Sequence, residues 1–121
     1  MSCLFNSLSA FVGEGPQQIR GKICDWLATD PPLIEDMNAS LVVLLESNKE
    51  LAPYVQQMRG PSTWGGAIEI RAFVSLWKRP VRVWVIRTRR WIEFPCSDGG
   101  EECKLSWTGG HYEPIRGADP V

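Results

Sequence analysis

Cysteine, histidine and a carboxylate are the residue types from which nucleophilic acyl-transfer sites are built, and this chain carries such a set near its two ends: Cys3, His111 and Glu113. A thiol in the first turn of a helix meets unsatisfied backbone N–H groups and the positive end of the helix dipole. Both stabilise negative charge on the sulfur, and the thiolate is the form that attacks. Taken alone, a cysteine near a chain start is more often a small buried hydrophobe. His111 is the only histidine among 121 residues. Gly109 and Gly110 before it permit a tight turn and close approach, and on a strand Glu113 falls on the same side as His111. A carboxylate there accepts a hydrogen bond from the second ring nitrogen and fixes the imidazole tautomer. No spacing rule brings residue 3 beside residue 111, so the fold has to do it.

The elements that must position these groups read as helices first and strands after. Leu4, Phe5, Leu8, Phe11 and Val12 recur at helical spacing and predict a helix from about Cys3 to Val12. Gly13 and Gly15 stop it, and Pro16 suits the first turn of a second helix carrying Ile19, Ile23, Trp26 and Leu27 inward. Asp30, Pro31 and Pro32 end that one. A third apolar helix runs through Leu41, Leu44 and Leu45, with Asn38 or Ser40 as its cap, and Pro53 to Arg59 reads as a short fourth. Beyond a Gly60-Pro61-Ser62 loop and Trp64-Gly65-Gly66, residues Ala67, Ile70, Val74 and Trp77 share one helix face. The period then changes to two. Val81, Val83 and Val85 alternate with Arg82, Trp84 and Ile86 behind Pro80. Trp91 to Phe94 and Lys104 to Trp107 flank a Ser97-Asp98-Gly99-Gly100 turn, and His111 to Ile115 gives the last strand. This order predicts one α+β domain over residues 1–121, with N-terminal helices packed on a small, mostly antiparallel sheet. Arg116 to Val121 reads as a loose tail.

Composition narrows the function classes. Apolar residues at 44% and charged residues at 22% describe an ordered chain. A formal charge of -1 gives no overall attraction to nucleic acid or anionic membranes. The apolar runs are interrupted before bilayer length, and Met1 leads straight into an amphipathic segment, so neither a membrane span nor a signal peptide is expected. Four irregularly spaced cysteines read as free thiols in a reducing compartment, the cytoplasm, although Cys96 and Cys103 could pair across a hairpin. A metal site from Cys24, Cys96, Cys103 and His111 lacks the spacing of zinc sites, and no metal is expected. Lys78, Arg79, Arg82, Arg87, Arg89 and Arg90 crowd one segment with Trp77, Trp84 and Trp91 between them, a pattern that could pair phosphates and stack bases. The preferred reading is a solvated strand face with the tryptophans in the core or at its edge. Glu14, Glu101 and Glu102 read as loop acids. Glu69 could orient the Trp-Gly loop or face solvent, and the second is preferred.

Four blocks stand in order and nearly span the chain: Cys3-Leu4-Phe5-Asn6-Ser7-Leu8; Pro61-Ser62-Thr63-Trp64-Gly65-Gly66-Ala67-Ile68-Glu69-Ile70, with Ala72 beyond; Pro80-Val81-Arg82-Val83; and Gly110-His111-Tyr112-Glu113-Pro114. Together they resemble the nucleophile helix, central Trp-Gly block, following strand and histidine motif of the ovarian-tumour (OTU) family of cysteine proteases. The resemblance implies a papain-like fold and hydrolysis of isopeptide bonds at the C-terminus of ubiquitin or a ubiquitin-like protein, through an acyl-thioester and without metal or cofactor. Cys3 would be the nucleophile, His111 its base and later its acid, and Glu113 the orienting group where the family usually has Asp or Asn. Trp64 and Gly65 would line a slot narrow enough for a Gly-Gly terminus, with Gly110 and Tyr112 on the histidine side. Family members carry an Asp-Gly pair just before the residue preceding the nucleophile, in a loop that helps form the oxyanion hole. Only Met1 and Ser2 precede Cys3 here, so the loop is nearly absent from this sequence and the expectation is a chain that is truncated, unusually economical or impaired as an enzyme. The rival is a module of the same fold that grips ubiquitin without cutting it. The expected working form is a monomer, and the economy of the chain suggests a viral or otherwise streamlined source.

Overall fold

Leu4, Phe5 and Leu8 have 1% exposure or less on one side of α1 (Cys3–Val12), which starts at the cysteine and stops where Gly13 takes φ +70°. The computed structural model describes residues 3–120. In α2 (Pro16–Leu27), Gln18 Oε1 accepts the Gly15 N–H at 3.0 Å, while Ile19, Ile23, Cys24 and Leu27 are fully buried and Trp26 half-buried. A short hairpin absent from the sequence reading follows, β1 (Pro32–Ile34) and β2 (Met37–Asn38). Strands of three and two residues are too brief to show a period. They lead into α3 (Ala39–Ser47), where Asn38, one of the two expected residues, holds the N-cap position but makes no side-chain capping bond. Asp30 accepts from the Ser40 N–H at 2.8 Å and from the Ser40 hydroxyl at 3.0 Å, and the Asn38 side chain instead donates to the Asp30 carbonyl. Ala39, Val42 and Val43 form the buried face of α3, and the leucines that marked the helix, Leu41, Leu44 and Leu45, face outward.

The fourth helix, α4 (Leu51–Met58), begins two residues before the expected Pro53 and buries Val55 and Met58. In α5 (Ala67–Trp77), Ile68, Ile70, Phe73 and Val74 turn inward. The second sheet has four strands in the order β4-β3-β5-β6: β3 (Val81–Val85), β4 (Arg90–Phe94), β5 (Cys103–Trp107) and β6 (Tyr112–Pro114). Its outer pairings are antiparallel, but the central β3–β5 pairing is parallel. Val81 stands opposite both Phe94 and Cys103, so the β4–β5 connection passes across the start of β3. That passage is tight: a Cβ on Gly100 would lie 2.2 Å from the Lys78 carbonyl oxygen. With β3 between them, β4 and β5 form no hairpin for Cys96 and Cys103 to bridge, and both thiols are free.

Val81, Val83, Val85, Cys103 and Leu105 form the buried face of the sheet. On the other face the guanidinium of Arg82 sits 4.0 Å from the Trp91 ring and pairs with Glu102 and Asp119. Arg79 donates to the carbonyls of Phe11 and Glu101. Arg79 also lies 3.7 Å from the Glu101 carboxylate, so these two members of the basic segment have their counter-charges within the chain. The tail is less loose than its composition suggests, because Lys104 bonds both the Gly117 carbonyl and the Asp119 carboxylate. The same lysine holds the Asp119 carboxyl below its ordinary value.

Burial pushes the thiols of Cys24 and Cys103 up to about 11, from an ordinary value near 9. The unfolded chain therefore gives up these protons first, and their ionisation lowers stability progressively as pH rises from 9 toward 11. Iodoacetamide at pH 8 should label Cys24 and Cys103 only after denaturation, while the half-buried Cys3 and Cys96 react in the native protein. Peptide mass mapping with and without urea checks this.

Candidate active site

The β5–β6 register decides what Cys3 meets. Thr108 N–H donates to the His111 carbonyl and Ile115 N–H to the Lys104 carbonyl, so the N–H groups of residues 111, 113 and 115 side with β5. Those of 112 and 114 point to the free edge of the sheet. Position 114 is a proline, which has no donor to leave unpaired at an edge. The one remaining outward donor, Tyr112 N–H, meets Cys3 Sγ at 3.4 Å, joining positions 109 residues apart. Cys3 opens α1 as its first residue, so the sulfur sits between a helix N-terminus and a strand edge.

His111 lies just before β6 rather than within it, and its Nε2 is 3.3 Å from Glu113 Oε2. Despite its extra methylene relative to the family's usual Asp, the glutamate is within reach of the ring. Both side chains are more than half exposed. Tyr112 faces the other way, pairing with Trp107 in register and stacking on it with ring centroids 6.2 Å apart. Burial, followed by the charges of Cys3 and Glu69, pushes the Tyr112 hydroxyl up to about 12, so it remains a donor at neutral pH.

A cavity of about 380 Å³ opens beside the sulfur. Val83, Phe94 and Trp107 of the sheet and Ile70 of α5 line it on one side, and Trp64, Gly65 and Gly66 on the other. Of the two glycines singled out from the sequence, Gly65 stands at a close approach and Gly110 does not. A Cβ on Gly65 would lie 2.8 Å from Leu4 Cδ2 and 3.1 Å from the Phe5 ring, so only glycine lets this loop press on α1. A Cβ on Gly110 would meet the Trp64 indole at 3.7 Å, an ordinary contact. The structure thus brings together Cys3, Trp64, Gly65, Gly110 and Tyr112 around one cavity, with His111 and Glu113 flanking Tyr112 in the chain.

Two buried charged side chains hold the loop. Arg20, 2% exposed, donates from Nη1 to the Met58 carbonyl at 2.7 Å and from Nη2 to the carbonyls of Thr63 at 2.9 Å and Pro61 at 3.4 Å, and its guanidinium lies 4.3 Å from the Phe5 ring centre. Glu69 does not face solvent as expected; it is 1% exposed. Its Oε1 accepts the Gly66 N–H at 2.7 Å and its Oε2 accepts the Tyr54 hydroxyl at 2.6 Å. The reason is local: the start of α5 leaves buried N–H groups without partners, and an acid at the third helical position can turn back to satisfy one. A glutamate three residues after Gly66 was the available signal. Arg20 gave none, because its hydrogen-bond partners are backbone carbonyls whose positions no side-chain pattern encodes. Burial raises the Glu69 carboxyl, against the lowering effect of the Tyr54 and Gly66 bonds, and burial with Glu69 raises Tyr54.

The expectation about the oxyanion loop falls on Met1 and Ser2, which lie outside the described residues. Among the described residues no group of three or more His, Cys, Asp or Glu is arranged to hold a metal, and no helix is long and apolar enough to cross a membrane.

The family model for OTU-like cysteine proteases matches residues 2–112. The chain belongs to that family. Ubiquitin thioesterase OTU1 of Danio rerio is 31% identical over 124 residues, covering 95% of this chain and 38% of the relative. The protein of the same name from Rattus norvegicus is 30% identical, covering 95% and 33%. This OTU chain therefore spans about a third of the length of these curated relatives. An OTU domain solved in complex with ubiquitin superimposes with a TM-score of 0.75 at 19% identity, over 93% of this chain and 62% of that one. The viral OTU protease of Taggert virus gives 0.68 at 19%, over 97% and 75%. The α+β OTU fold is thus shared across sequences that have diverged widely.

Replacing Gly65 by Ala should lower stability by about 1–3 kcal/mol, because neither Leu4 nor Phe5 can move without opening the core. Gly110→Ala, which meets only an ordinary contact, should change it by less than about 0.5 kcal/mol. Urea unfolding of the two variants side by side checks the contrast.

Proposed function

We propose that this chain is a cysteine isopeptidase that releases ubiquitin or a ubiquitin-like protein from conjugates, with Cys3 as nucleophile, His111 as general base and Glu113 as its orienting partner. The observation that carries the reading is the 3.4 Å contact from Tyr112 N–H to Cys3 Sγ, which sets the residue after the histidine on the sulfur. If His111 Nε2–H donates to Glu113, Nδ1 is left with its lone pair as the proton acceptor. Nδ1 takes the thiol proton and sulfur attacks the carbonyl carbon of the terminal glycine. The C–N bond breaks as Nδ1 returns the proton to the departing lysine amine. Water then attacks the thioester, giving one proton to Nδ1; the C–S bond breaks, Nδ1 passes that proton to the sulfur to regenerate the thiol, and the second proton is lost to solvent as the carboxylate leaves. The Cys3 cavity, bounded by Trp64, Gly65 and Gly110, suits an extended chain ending in small residues. Names of the relatives support the substrate class: two are ubiquitin thioesterases, and one solved OTU domain holds ubiquitin. The reading includes a monomer that needs no metal or cofactor and works in the cytoplasm, where four free cysteines fit a reducing environment.

Ubiquitin carrying a thiol-reactive C-terminus should label the parent chain at Cys3 and leave Cys3→Ala unlabelled. His111→Ala should slow labelling or conjugate cleavage by about 10²–10⁴-fold. Glu113→Ala should cost less, about ten- to a hundredfold, as befits one hydrogen bond to a charged group in contact with water. A folded parent that forms no adduct, or an adduct that survives Cys3→Ala, would sink the proposal.

A further inference from the structure

The wall of the Cys3 cavity is a partition with open space on both sides. Trp64, Gly65, Gly66 and Ala67 line that cavity, and the same four residues line a second one of about 350 Å³ that opens toward Glu46, Tyr54 and Gln57. The segment is seated on α1 at Gly65, close to Leu4 and Phe5, but it borders open space on two faces, so the placement of the residues on either side of that contact rests on hydrogen bonds. Those bonds sit at both ends of the Trp64-Gly65 pair. On one side Arg20 binds the Thr63 carbonyl, and on the other Glu69 binds the Gly66 N–H. Tyr54 holds the far oxygen of Glu69 from α4. Arg20 and Tyr54 do not line the Cys3 cavity, and none of the three side chains takes part in the chemical steps above.

We propose that Glu69, anchored by Tyr54, and Arg20 are positioning residues that set the width of the slot between Trp64 and the histidine strand. Through that width they determine how well an extended, glycine-ended acyl chain is held over Cys3. The inference rests on the proposed function for its substrate. Its physical core, a partition seated on α1 at Gly65 and clamped at both ends by hydrogen bonds, does not need that reading. A clamp of this kind acts on substrate capture and alignment and leaves the intrinsic reactivity of the thiol unchanged.

Glu69→Gln preserves the geometry, since its amide oxygen can accept from Gly66 and its amide nitrogen can donate to the Tyr54 oxygen. Glu69→Leu keeps the bulk but removes both contacts, and Tyr54→Phe removes one atom outside the Cys3 cavity. Three readouts separate the possibilities: labelling by the ubiquitin probe, alkylation of Cys3 by iodoacetamide, and hydrogen exchange in residues 63–67. Glu69→Gln should label within about threefold of the parent. Tyr54→Phe should fall about tenfold, and Glu69→Leu about ten- to a hundredfold. Both losses should come with faster exchange in residues 63–67 and unchanged iodoacetamide rates. Should Tyr54→Phe and Glu69→Leu leave exchange in 63–67 as in the parent, there is no clamp. Faster exchange with undiminished probe labelling would overturn the claim that the clamp sets the slot. If even the parent takes no probe, the proposed function fails, and the exchange data still decide whether the partition is clamped.

Discussion

The site depends on a charge that cannot reach water. Arg20 is fully buried, and no carboxylate among the described residues lies within ion-pair distance; the partners of its two terminal nitrogens are three backbone carbonyls and the Met58 sulfur, its plane lies against an aromatic face, and only its Nε is unpartnered. Burying a guanidinium is unfavourable unless its donors are satisfied, so the chain between Met58 and Thr63 must wrap around it. That wrapping brings Gly65, two residues on from Thr63, against the side chains of Leu4 and Phe5 that follow the cysteine. One side chain on α2 thereby links α1, the end of α4 and the loop before α5. The guanidinium is fixed in direction by its planar fork, and a lysine could not offer the same three-way grip.

A second constraint comes from strand order. Because β3 and β5 run parallel, the chain must carry β4 and its turn past the start of β3 before β5 can begin, and Gly100 is where it passes. This detour leaves β6 as an edge strand. An edge normally presents unpaired donors to its surroundings. Here the edge has one available N–H, at Tyr112, and it is turned to the sulfur. The parallel pairing, the edge proline and the helix N-terminus thus converge on one atom.

Much of this was legible in the sequence wherever one face of an element is buried and long enough to show its period. The helix from Cys3 to Val12 and the strand from Val81 to Val85 stand where periodicity put them. The Cys3, Trp64-Gly65-Gly66 and His111 blocks were recognisable as a set in order. What escaped was made by partners distant in sequence or by polar atoms of the backbone. Asp30 caps α3 from ten residues away across a hairpin too short to register. Leu41, Leu44 and Leu45 marked the right helix but not its buried face, since apolar residues surround α3 almost evenly. Glu69 was read as a surface acid because glutamate usually is one, and only the orphaned N–H of Gly66 explains its burial. The tail past Arg116 looks featureless by composition, yet Lys104 holds it down.

Cys3 is also made 109 residues before Tyr112. The sulfur is synthesised more than a hundred residues before the strand that completes its surroundings. Until β6 adds to the sheet, the nascent polypeptide carries Cys3 without Tyr112 beside it, and the contact between them closes a long loop at an entropic cost. Completion of β6 therefore doubles as a timer: the surroundings of the sulfur are complete only once residues 3–114 have all been made.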